Sequence, residues 1–325
     1  MYDFKEKVQL GNTGVSIRRM GLGTGGLGGS DARIGAEGAA QLIRTAYQEG
    51  MDFLDTAAMY GGGSAERVLG GIVPGLPRDS FTIATKAGIY IPNPPASEEE
   101  SRRFGLGGGM IRDYSYDGVM YCFEESLKRL GLDSVDILYL HGPSKFDEGG
   151  YRAVCELRAQ GLIKAIGGSG YNAEGLYDLM KNGDFDCIMI AGRYTLMEQG
   201  PLADILPLAL KKNISVLTAG VLNSGILADP YNVQRYDYRP VDAPTLEKAQ
   251  NLDAVCKRYN IPLKAAAVQF SLAHPAIVSV IVGPLSEAEL RENMQLVQLP
   301  IPKALWQEMK QEGLLPEEAP VPEGI

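Results

Sequence analysis

The chain has 325 residues, of which 45% are hydrophobic, and a formal net charge of −9 at pH 7. This length suits one large barrel as well as two smaller domains, and we expect a single domain over residues 1–325. An acidic chain without a basic stripe is a poor partner for nucleic acid or for an anionic membrane surface. No apolar run is long enough for a membrane span, and the N-terminus lacks the layout of a signal peptide. A cytoplasmic location follows as the expectation.

The cysteines and histidines argue against disulfides and metal sites. The four cysteines stand far apart, at Cys122, Cys155, Cys187 and Cys256. We interpret them as reduced thiols of an intracellular protein. With two histidines and no Cys-x-x-Cys pair, the sequence predicts no metal. It offers no prediction of oligomeric state.

The elements predict a barrel. Two short alternating runs around a Gly-Asn turn at 7–17 indicate an N-terminal β-hairpin. Strands are then predicted at 20–23, 51–55, 81–85, 135–141, 165–168, 187–191, 215–219 and 279–282. Helices are predicted at 37–49, 64–69, 117–130, 150–160, 173–181, 202–211, 244–259, 263–273 and 286–297. The alternation favours a parallel sheet, and the length favours a closed (β/α)₈ TIM barrel, with an open doubly wound sheet as the alternative.

Three loops are long or unusual in composition. Residues 21–29 contain a Gly-x-Gly-x-x-Gly spacing, but a loop follows instead of a helix, so we favour a tight turn over a dinucleotide fingerprint. The connections 88–116 and 222–243 are long and have no predicted elements. Both follow strands, so we place them at the C-terminal face, where barrel enzymes keep their active sites.

Four polar residues lie at or just after successive predicted strands. Asp55 ends the second barrel strand and Tyr60 follows it, while Lys86 and His141 end the next two. Neighbouring parallel strands are about 4.8 Å apart, so these groups should meet at one edge. Each also has a structural interpretation alone: a helix cap, a rim aromatic, an ion pair and a core histidine. Their coincidence at successive strand ends favours a catalytic site.

The chemistry of these four groups is proton transfer. A free phenol has a pKa of about 10, too high for a ready base at neutral pH. A nearby ammonium favours the phenolate, so Lys86 should lower the pKa of Tyr60, and Asp55 should hold Lys86 in place. A neutral His141 could hydrogen-bond a substrate oxygen and orient the reacting carbon. The set suits acid–base catalysis beside a bound hydride carrier.

These motifs resemble the aldo-keto reductase superfamily. The similarity lies in residues 50–61, 84–86, 126–137, 161–167 and 291–293. Residues 113–118, 192–196 and 223–227 are similar to the branch that holds L-fucose, D-threo-aldose and L-galactose dehydrogenases and a pyridoxal 4-dehydrogenase. The resemblance implies Tyr60 as proton donor and acceptor, tuned by Asp55 and Lys86, with His141 orienting the substrate.

The resemblance also implies a nicotinamide site. Ser169 would contact the carboxamide, and Asn172 would replace the family asparagine whose position holds Gly170. The remaining cofactor candidates are Gly23 and Thr24 at the first barrel strand, Asn223, Ser224, Gly225 and Leu227 beside the pyrophosphate, Gly283 and Glu289 near the ribose, and Glu292 and Asn293 near the adenine. Gly142 stands where the branch more often has aspartate, and Ala191 where the family has glutamine.

The resemblance predicts NAD, with NADP the less favoured cofactor. The family positions that bind a 2′-phosphate with lysine and arginine hold Gly283 and Glu289. A carboxylate repels the phosphate but can accept a hydrogen bond from a free 2′-hydroxyl. As an alternative, Glu289 serves only to cap a helix.

The predicted function is the oxidation of an aldose at C1 to its lactone by an NAD-dependent dehydrogenase. The alternatives are a pyridoxal 4-dehydrogenase, a general aldehyde or ketone reductase, and a redox-sensing cofactor-binding regulatory module. A glycosidase would need a second facing carboxylate, which the sequence does not suggest. Candidate pocket residues are Tyr90, Tyr231, Tyr236 and Trp306, with ordinary packing as the alternative for each. The expected partner is a small molecule.

Overall fold

A computed structural model describes residues 2–28, 34–237 and 239–324 of the chain. The strands are β1 (Lys7–Gln9), β2 (Ser16–Arg18), β3 (Met20–Gly23), β4 (Phe53–Asp55), β5 (Thr82–Ala87), β6 (Ile89–Tyr90), β7 (Ile111–Arg112), β8 (Ile137–His141), β9 (Ala165–Gly170), β10 (Cys187–Ala191), β11 (Ser215–Ala219), β12 (Arg235–Tyr236), β13 (Arg239–Pro240) and β14 (Ile277–Val282). The helices are α1 (Gly35–Gln48), α2 (Ser64–Gly70), α3 (Glu98–Arg103), α4 (Tyr116–Leu130), α5 (Glu148–Ala159), α6 (Ala173–Asn182), α7 (Ile205–Lys212), α8 (Ala243–Arg258), α9 (Leu263–Phe270), α10 (Glu287–Leu296) and α11 (Lys303–Gln311).

The predicted barrel is confirmed. Strands β3, β4, β5, β8, β9, β10, β11 and β14 close into one parallel barrel in that order around the ring. All eight predicted strands are present, and the open sheet is excluded. The pairing register sets Asp55 beside Ala84, Lys86 beside Tyr139 and His141 beside Ser169. The strand ends that carry the predicted site are therefore level with one another.

The N-terminal hairpin covers the floor of the barrel. Strands β1 and β2 pair antiparallel. Leu10, Val15 and Ile17 are buried in one apolar cluster with side chains from inside the barrel, which include Phe53, Ile137, Tyr139 and Leu217. Arg18 holds the hairpin to the start of β4 through two bonds to the Asp52 carboxylate, at 2.9 and 2.5 Å. Asp52 was predicted to lie within this strand, at 51–55, but β4 begins at Phe53.

Helices pack around the barrel through apolar faces, as α4 illustrates. Val119, Cys122, Phe123 and Leu130 are buried at helical spacing and face the larger apolar cluster between barrel and helices. The Ser115 side chain accepts a hydrogen bond from the Gly118 amide and begins the helix, and Gly131 ends it with φ 64°. The apolar spacing alone predicted this helix at 117–130, within one residue of its observed bounds.

The long loops contain more structure than expected. In the connection 88–116, β6 and β7 form a ribbon, and α3 begins at the Ser97 cap, with acidic residues in its first turn. The connection 222–243 contains a 3₁₀ turn at Asn223–Gly225 and the ribbon of β12 and β13. Helix α11 was not predicted. Two-residue strands carry no readable periodicity, whereas the Ser97 cap and the acidic residues after it do indicate the start of α3.

Other expectations can be compared with the described residues. In that part of the chain, no helix is both long and apolar enough to cross a bilayer. The four cysteines are free thiols, and Cys122, Cys187 and Cys256 are buried. Burial raises the pKa of Cys122 to about 12, so this thiol stays protonated at neutral pH.

Candidate active site

The four predicted catalytic residues meet at the C-terminal end of the barrel. Asp55 ends β4, Lys86 lies near the end of β5, and His141 ends β8, on three adjacent strands. Tyr60 begins the 3₁₀ turn that follows β4. The Lys86 Nζ atom is 4.8 Å from the centre of the Tyr60 ring. The Tyr60 and His141 ring centres are 5.9 Å apart, with the rings at 87°.

Lys86 and Asp55 form a buried ion pair. Lys86 Nζ donates to Asp55 Oδ2 at 2.6 Å and to the Thr56 carbonyl at 2.7 Å, and the two residues are 1% and 2% exposed. Burial lowers the pKa of Lys86, and the Asp55 carboxylate opposes that shift. Burial likewise raises the pKa of Asp55 against the pull of Lys86. Because removal of either partner would leave a buried charge unpaired, the pair fixes both side chains.

His141 is held neutral. Burial lowers its pKa well below the usual value, and the positive charges of Lys86 and Arg112 lower it further. Its Nδ1 atom is buried without a hydrogen-bond partner among the described residues. The Tyr114 hydroxyl donates to the His141 carbonyl and fastens the end of β8 from above. A neutral imidazole can donate one hydrogen bond and accept another, which suits contact with a substrate oxygen.

Glycines shape the turn that carries Tyr60. Gly61, Gly62 and Gly63 all have positive φ, at 56°, 60° and 86°. Residues other than glycine rarely adopt these angles. A Cβ on Gly61 would lie 0.8 Å from the Gly28 carbonyl oxygen, and the Ser64 hydroxyl donates to that same oxygen. Gly25 lies against the Tyr60 ring: a Cβ on Gly25 would stand 3.6 Å from the ring carbon Cζ. The described part of the glycine-rich segment thus forms a seat for Tyr60, in agreement with the tight turn that we favoured.

A second buried carboxylate lies behind the site and was not predicted. Glu66, on α2, is fully buried and accepts from the Thr85 hydroxyl at 2.5 Å and from Arg129 Nε at 2.7 Å. It joins the helix after Tyr60 to the strand that carries Lys86. Its place early in a short helix gave no sequence signal, because the partners come from β5 and α4.

The strand ends on one side of the mouth carry the predicted carboxamide contacts. Ser169 is buried near the end of β9, level with His141. Gly170 follows, and a Cβ there would lie 3.0 Å from Gly142 Cα. A side chain at position 170 would therefore be in tight contact with the backbone at 142. Asn172 caps α6 by accepting from the Gly175 amide, which explains its presence without a cofactor.

The predicted pyrophosphate segment has unusual backbone. Asn223 and Ser224 both have positive φ, at 45° and 60°, and Gly225 follows at 96°. Such non-glycine residues often mark ligand sites. Asn223 is 2% exposed, and its Oδ1 atom has no hydrogen-bond partner among the described residues. The Leu227 side chain, by contrast, is fully buried in the core, and its amide donates to the Leu222 carbonyl at 3.2 Å, so the structure gives Leu227 a structural role.

Helix α10 carries three of the residues predicted to lie near the ribose and the adenine. Ser286 caps the helix by accepting from the Glu289 amide, and the Glu289 carboxylate accepts from the Leu285 amide at 2.8 Å, so Glu289 ties the segment before α10 to its first turn. Glu292 pairs with Lys264 at 2.5 Å. Asn293 is 3% exposed, with its Oδ1 atom unpaired among the described residues. An unpaired amide oxygen suits an amino-group donor such as that of adenine.

Two further cofactor candidates lie around β3 and β14. Gly23 ends β3, and Gly283 follows β14 and is exposed. Thr24 is fully buried and bonds the Asp55 carbonyl through both its amide, at 2.9 Å, and its hydroxyl, at 3.1 Å. Thr24 therefore supports Asp55 from behind and is not open to a ligand.

The four aromatic residues predicted for the pocket all have structural contacts, and one of them, Trp306, lies in the core. Trp306 is fully buried on α11 and packs near Phe270 in the core. Tyr231 is 51% exposed and bonds Asp253 on α8. The Tyr236 hydroxyl reaches Glu198 at 3.3 Å, and the buried Tyr90 lies 3.4 Å from Asp113. Each of the three tyrosine hydroxyls contacts a carboxylate at least 22 residues away in the sequence. Such contacts cannot be predicted from the neighbouring residues.

Arg112 was not predicted and lies at the mouth. It ends β7, and its Nη1 atom donates to the Gly142 carbonyl at 2.5 Å. Its position is fixed by the ribbon of β6 and β7, which the sequence pattern did not disclose.

This barrel and its site define an oxidoreductase, and the chain belongs to the aldo/keto reductase family, whose model matches residues 19–312. It is an enzyme that acts on an alcohol or carbonyl group of a small molecule with a nicotinamide cofactor.

Individual relatives are similar over nearly the whole chain. Pyridoxal 4-dehydrogenase of Microbacterium luteolum is 35% identical, covering 95% of this chain and 98% of that protein. D-threo-aldose 1-dehydrogenase of a Pseudomonas species is 34% identical, covering 93% and 96%. Among solved structures, an aldo-keto reductase from Bacillus halodurans in its holo form superposes with a TM-score of 0.76 at 24% identity, covering 98% of each chain.

Proposed function

We propose that this enzyme oxidises the hemiacetal of a sugar to a lactone, with NAD as the hydride acceptor. The observation that carries the proposal is the contact of Tyr60 with both Lys86 and His141 at one end of the barrel. The aldose 1-dehydrogenase and pyridoxal 4-dehydrogenase relatives support a cyclic hemiacetal as the substrate.

Residues of this chain fit the cofactor. Asn223 and Asn293 each keep a buried side-chain oxygen without a partner among the described residues, in the two segments expected to hold the pyrophosphate and the adenine. Ser169 lies between those segments and His141 along the barrel rim. When bound, the nicotinamide ring would accept the hydride that leaves the anomeric carbon.

The chain supplies proton transfer and orientation. The ammonium of Lys86 beside the Tyr60 ring favours the phenolate, which takes the proton of the anomeric hydroxyl. Asp55 and the Thr56 carbonyl keep Lys86 in position. The neutral imidazole of His141 hydrogen-bonds the same oxygen and orients the reacting carbon. In the reverse direction Tyr60 would return the proton to a carbonyl oxygen.

The proposal is tested by Tyr60→Phe. We expect this variant to bind NADH as the wild type does, in a fluorescence titration, and to lose at least about a hundredfold in kcat, since positioned acid–base groups contribute 10²–10⁴. The assay should use a panel of aldoses with L- and D-threo configurations, and pyridoxal. Full activity of the variant would remove Tyr60 from the mechanism.

NAD is proposed over NADP from the charge at α10. Glu287 and Glu289 lie in its first turn, where a carboxylate repels a 2′-phosphate. Because Glu289 also holds the Leu285 amide, Glu289→Gln is the informative variant: it keeps an acceptor for that amide and removes the charge. We expect it to raise kcat/KM for NADP by about three- to tenfold with a smaller change for NAD. A wild type that prefers NADP would contradict the proposal.

Pyridoxal is the second candidate substrate, because the pyridoxal 4-dehydrogenase relative is 35% identical over 95% of this chain. The substrate panel distinguishes it from the sugars by kcat/KM. A regulatory module is less well supported, since all four catalytic candidates are retained and in contact. A glycosidase is not supported, because the Asp55 carboxylate is tied to Lys86.

A further inference from the structure

Arg112 places a positive charge next to the proposed reaction site. Its strand β7 pairs with β6, which follows β5 after one residue, so the ribbon rises from the strand that carries Lys86. Arg112 Nη1 donates to the carbonyl of Gly142, the residue after His141. It is also 3.4 Å from the Tyr114 hydroxyl, which bonds the His141 carbonyl. The guanidinium therefore lies above the ends of β5 and β8.

This charge has no carboxylate partner in the described part of the chain. Among residues 2–28, 34–237 and 239–324, none of the ion pairs within 4.0 Å includes Arg112. Asp113 is next in sequence, but its carboxylate accepts from the Ser115 amide and lies 3.4 Å from the Tyr90 hydroxyl. Arg112 is half-buried, and a partly desolvated cation without a counter-charge is costly. Such a group is a candidate for a ligand anion.

The position of Arg112 points to the substrate and not to the cofactor. The cofactor candidates follow β9, β11, β14 and β3, which are contiguous in the barrel except for β10. Arg112 lies over β5 and β8, on the same side as Lys86 and His141. Gly142 leaves room there, because it has no side chain and a Cβ would stand 3.6 Å from Arg112 Nη1.

We propose that Arg112 selects substrates that carry an anionic group, a carboxylate or a phosphate ester, on the carbon chain away from the reacting hydroxyl. One guanidinium nitrogen holds Gly142, and the remaining donors are available for a planar, charge-assisted contact. The inference rests on the proposed function, because it assumes that the substrate reacts between Tyr60 and His141. It makes the preferred substrate a sugar acid or a sugar phosphate.

The test compares three matched substrates: a neutral hexose, its uronic acid and its 6-phosphate, each with NAD. For the wild type we expect kcat/KM on one of the two anionic sugars to exceed that on the neutral sugar by about tenfold or more. Which anion is preferred distinguishes carboxylate from phosphate. Arg112→Gln should remove this ratio and change the neutral sugar less than about threefold, and Arg112→Lys should restore part of it.

The matched control is Arg44→Gln. Arg44 is exposed on α1, so this substitution removes the same charge far from the site. It should leave the ratio of kcat/KM between anionic and neutral sugars unchanged. Equal losses on all three sugars in Arg112→Gln would make Arg112 a structural clamp of Gly142 and overturn the proposal. A wild type that prefers the neutral sugar would overturn it as well.

Binding separates this inference from the proposed function. Calorimetric titration of each anionic sugar into the NADH-saturated protein needs no turnover. If the anionic sugars bind Arg112→Gln more weakly than the wild type and neither protein turns them over, the role of Arg112 in anion binding is supported and the proposed oxidation is refuted. Binding that is absent, or equal in both proteins, would refute the role of Arg112 whatever the turnover.

Discussion

At the scale of single residues, the site depends on one buried ammonium with several partners. Lys86 Nζ bonds Asp55 and the Thr56 carbonyl and lies 4.8 Å from the Tyr60 ring and 5.9 Å from the Tyr139 ring. The aromatic faces and the carboxylate together compensate the loss of water around the charge. The same charge lowers the pKa of His141. One side chain thus disfavours protonation of the imidazole and lies over the face of the phenol ring.

The lowered pKa of His141 predicts acid sensitivity. Below the ordinary histidine pKa of about 6.5, the unfolded chain takes up a proton that the folded His141 refuses, so the free energy of unfolding falls as pH falls. His141→Gln should reduce the slope between pH 6.5 and 5 by up to about 1.4 kcal/mol per pH unit. Urea denaturation at several pH values measures it. A residual slope from His274 is expected, because burial also lowers its pKa; an unchanged slope would contradict the prediction.

The sequence located these residues because parallel strands end at one level. Asp55, Lys86 and His141 could be predicted from strand ends alone, without knowing their contacts. The pocket aromatics could not, because Tyr231 and Tyr236 are fixed by Asp253 and Glu198, far away in the sequence. Arg112 escaped prediction for the same reason, since its partner Gly142 is 30 residues away.

At the scale of elements, the turn after β4 is the most constrained part of the site. Three consecutive glycines with positive φ bring Tyr60 against the segment that contains Gly25 and Gly28. Helix α2 follows at once and is anchored through Glu66 to Thr85. Regular helices and strands were predictable from apolar periodicity, but this turn was not, because its shape comes from contacts with another loop.

Gly61→Ala should therefore disrupt both stability and catalysis. The new Cβ would collide with the Gly28 carbonyl, so we expect a loss of about 2–4 kcal/mol in the free energy of unfolding and a large fall in kcat. The control is Gly105→Ala, which has a similar φ of 69° and open space around its Cβ. It isolates the backbone strain, about 1 kcal/mol. Equal effects in the two variants would show that the contact with Gly28 is unimportant.

At the scale of the whole molecule, stability and chemistry occupy opposite ends of the barrel. The hairpin at the floor buries Leu10, Val15 and Ile17 against side chains from inside the barrel, and the Gly11 amide donates to Ser215 Oγ at 2.8 Å. The reactive groups lie at the other end. The two ends share the barrel strands but no loops. Substitutions in the loops of one end can therefore leave the loops of the other end unchanged.

Ile17→Ala tests this separation. Ile17 is 1% exposed, so its truncation should cost about 2–4 kcal/mol in the free energy of unfolding. At a temperature where the variant stays folded, kcat/KM should remain within about twofold of the wild type, because no reactive group moves. Thermal unfolding and steady-state kinetics on the same preparation give both values. A parallel loss of activity would mean that the floor and the mouth are coupled.

The closed floor also determines how the site is reached. The barrel is open to ligands at one end, so the cofactor and the substrate must both enter there. Whichever of the two binds deeper has to bind first and leave last, because the packed side chains below the site and the hairpin beneath them leave no second way in.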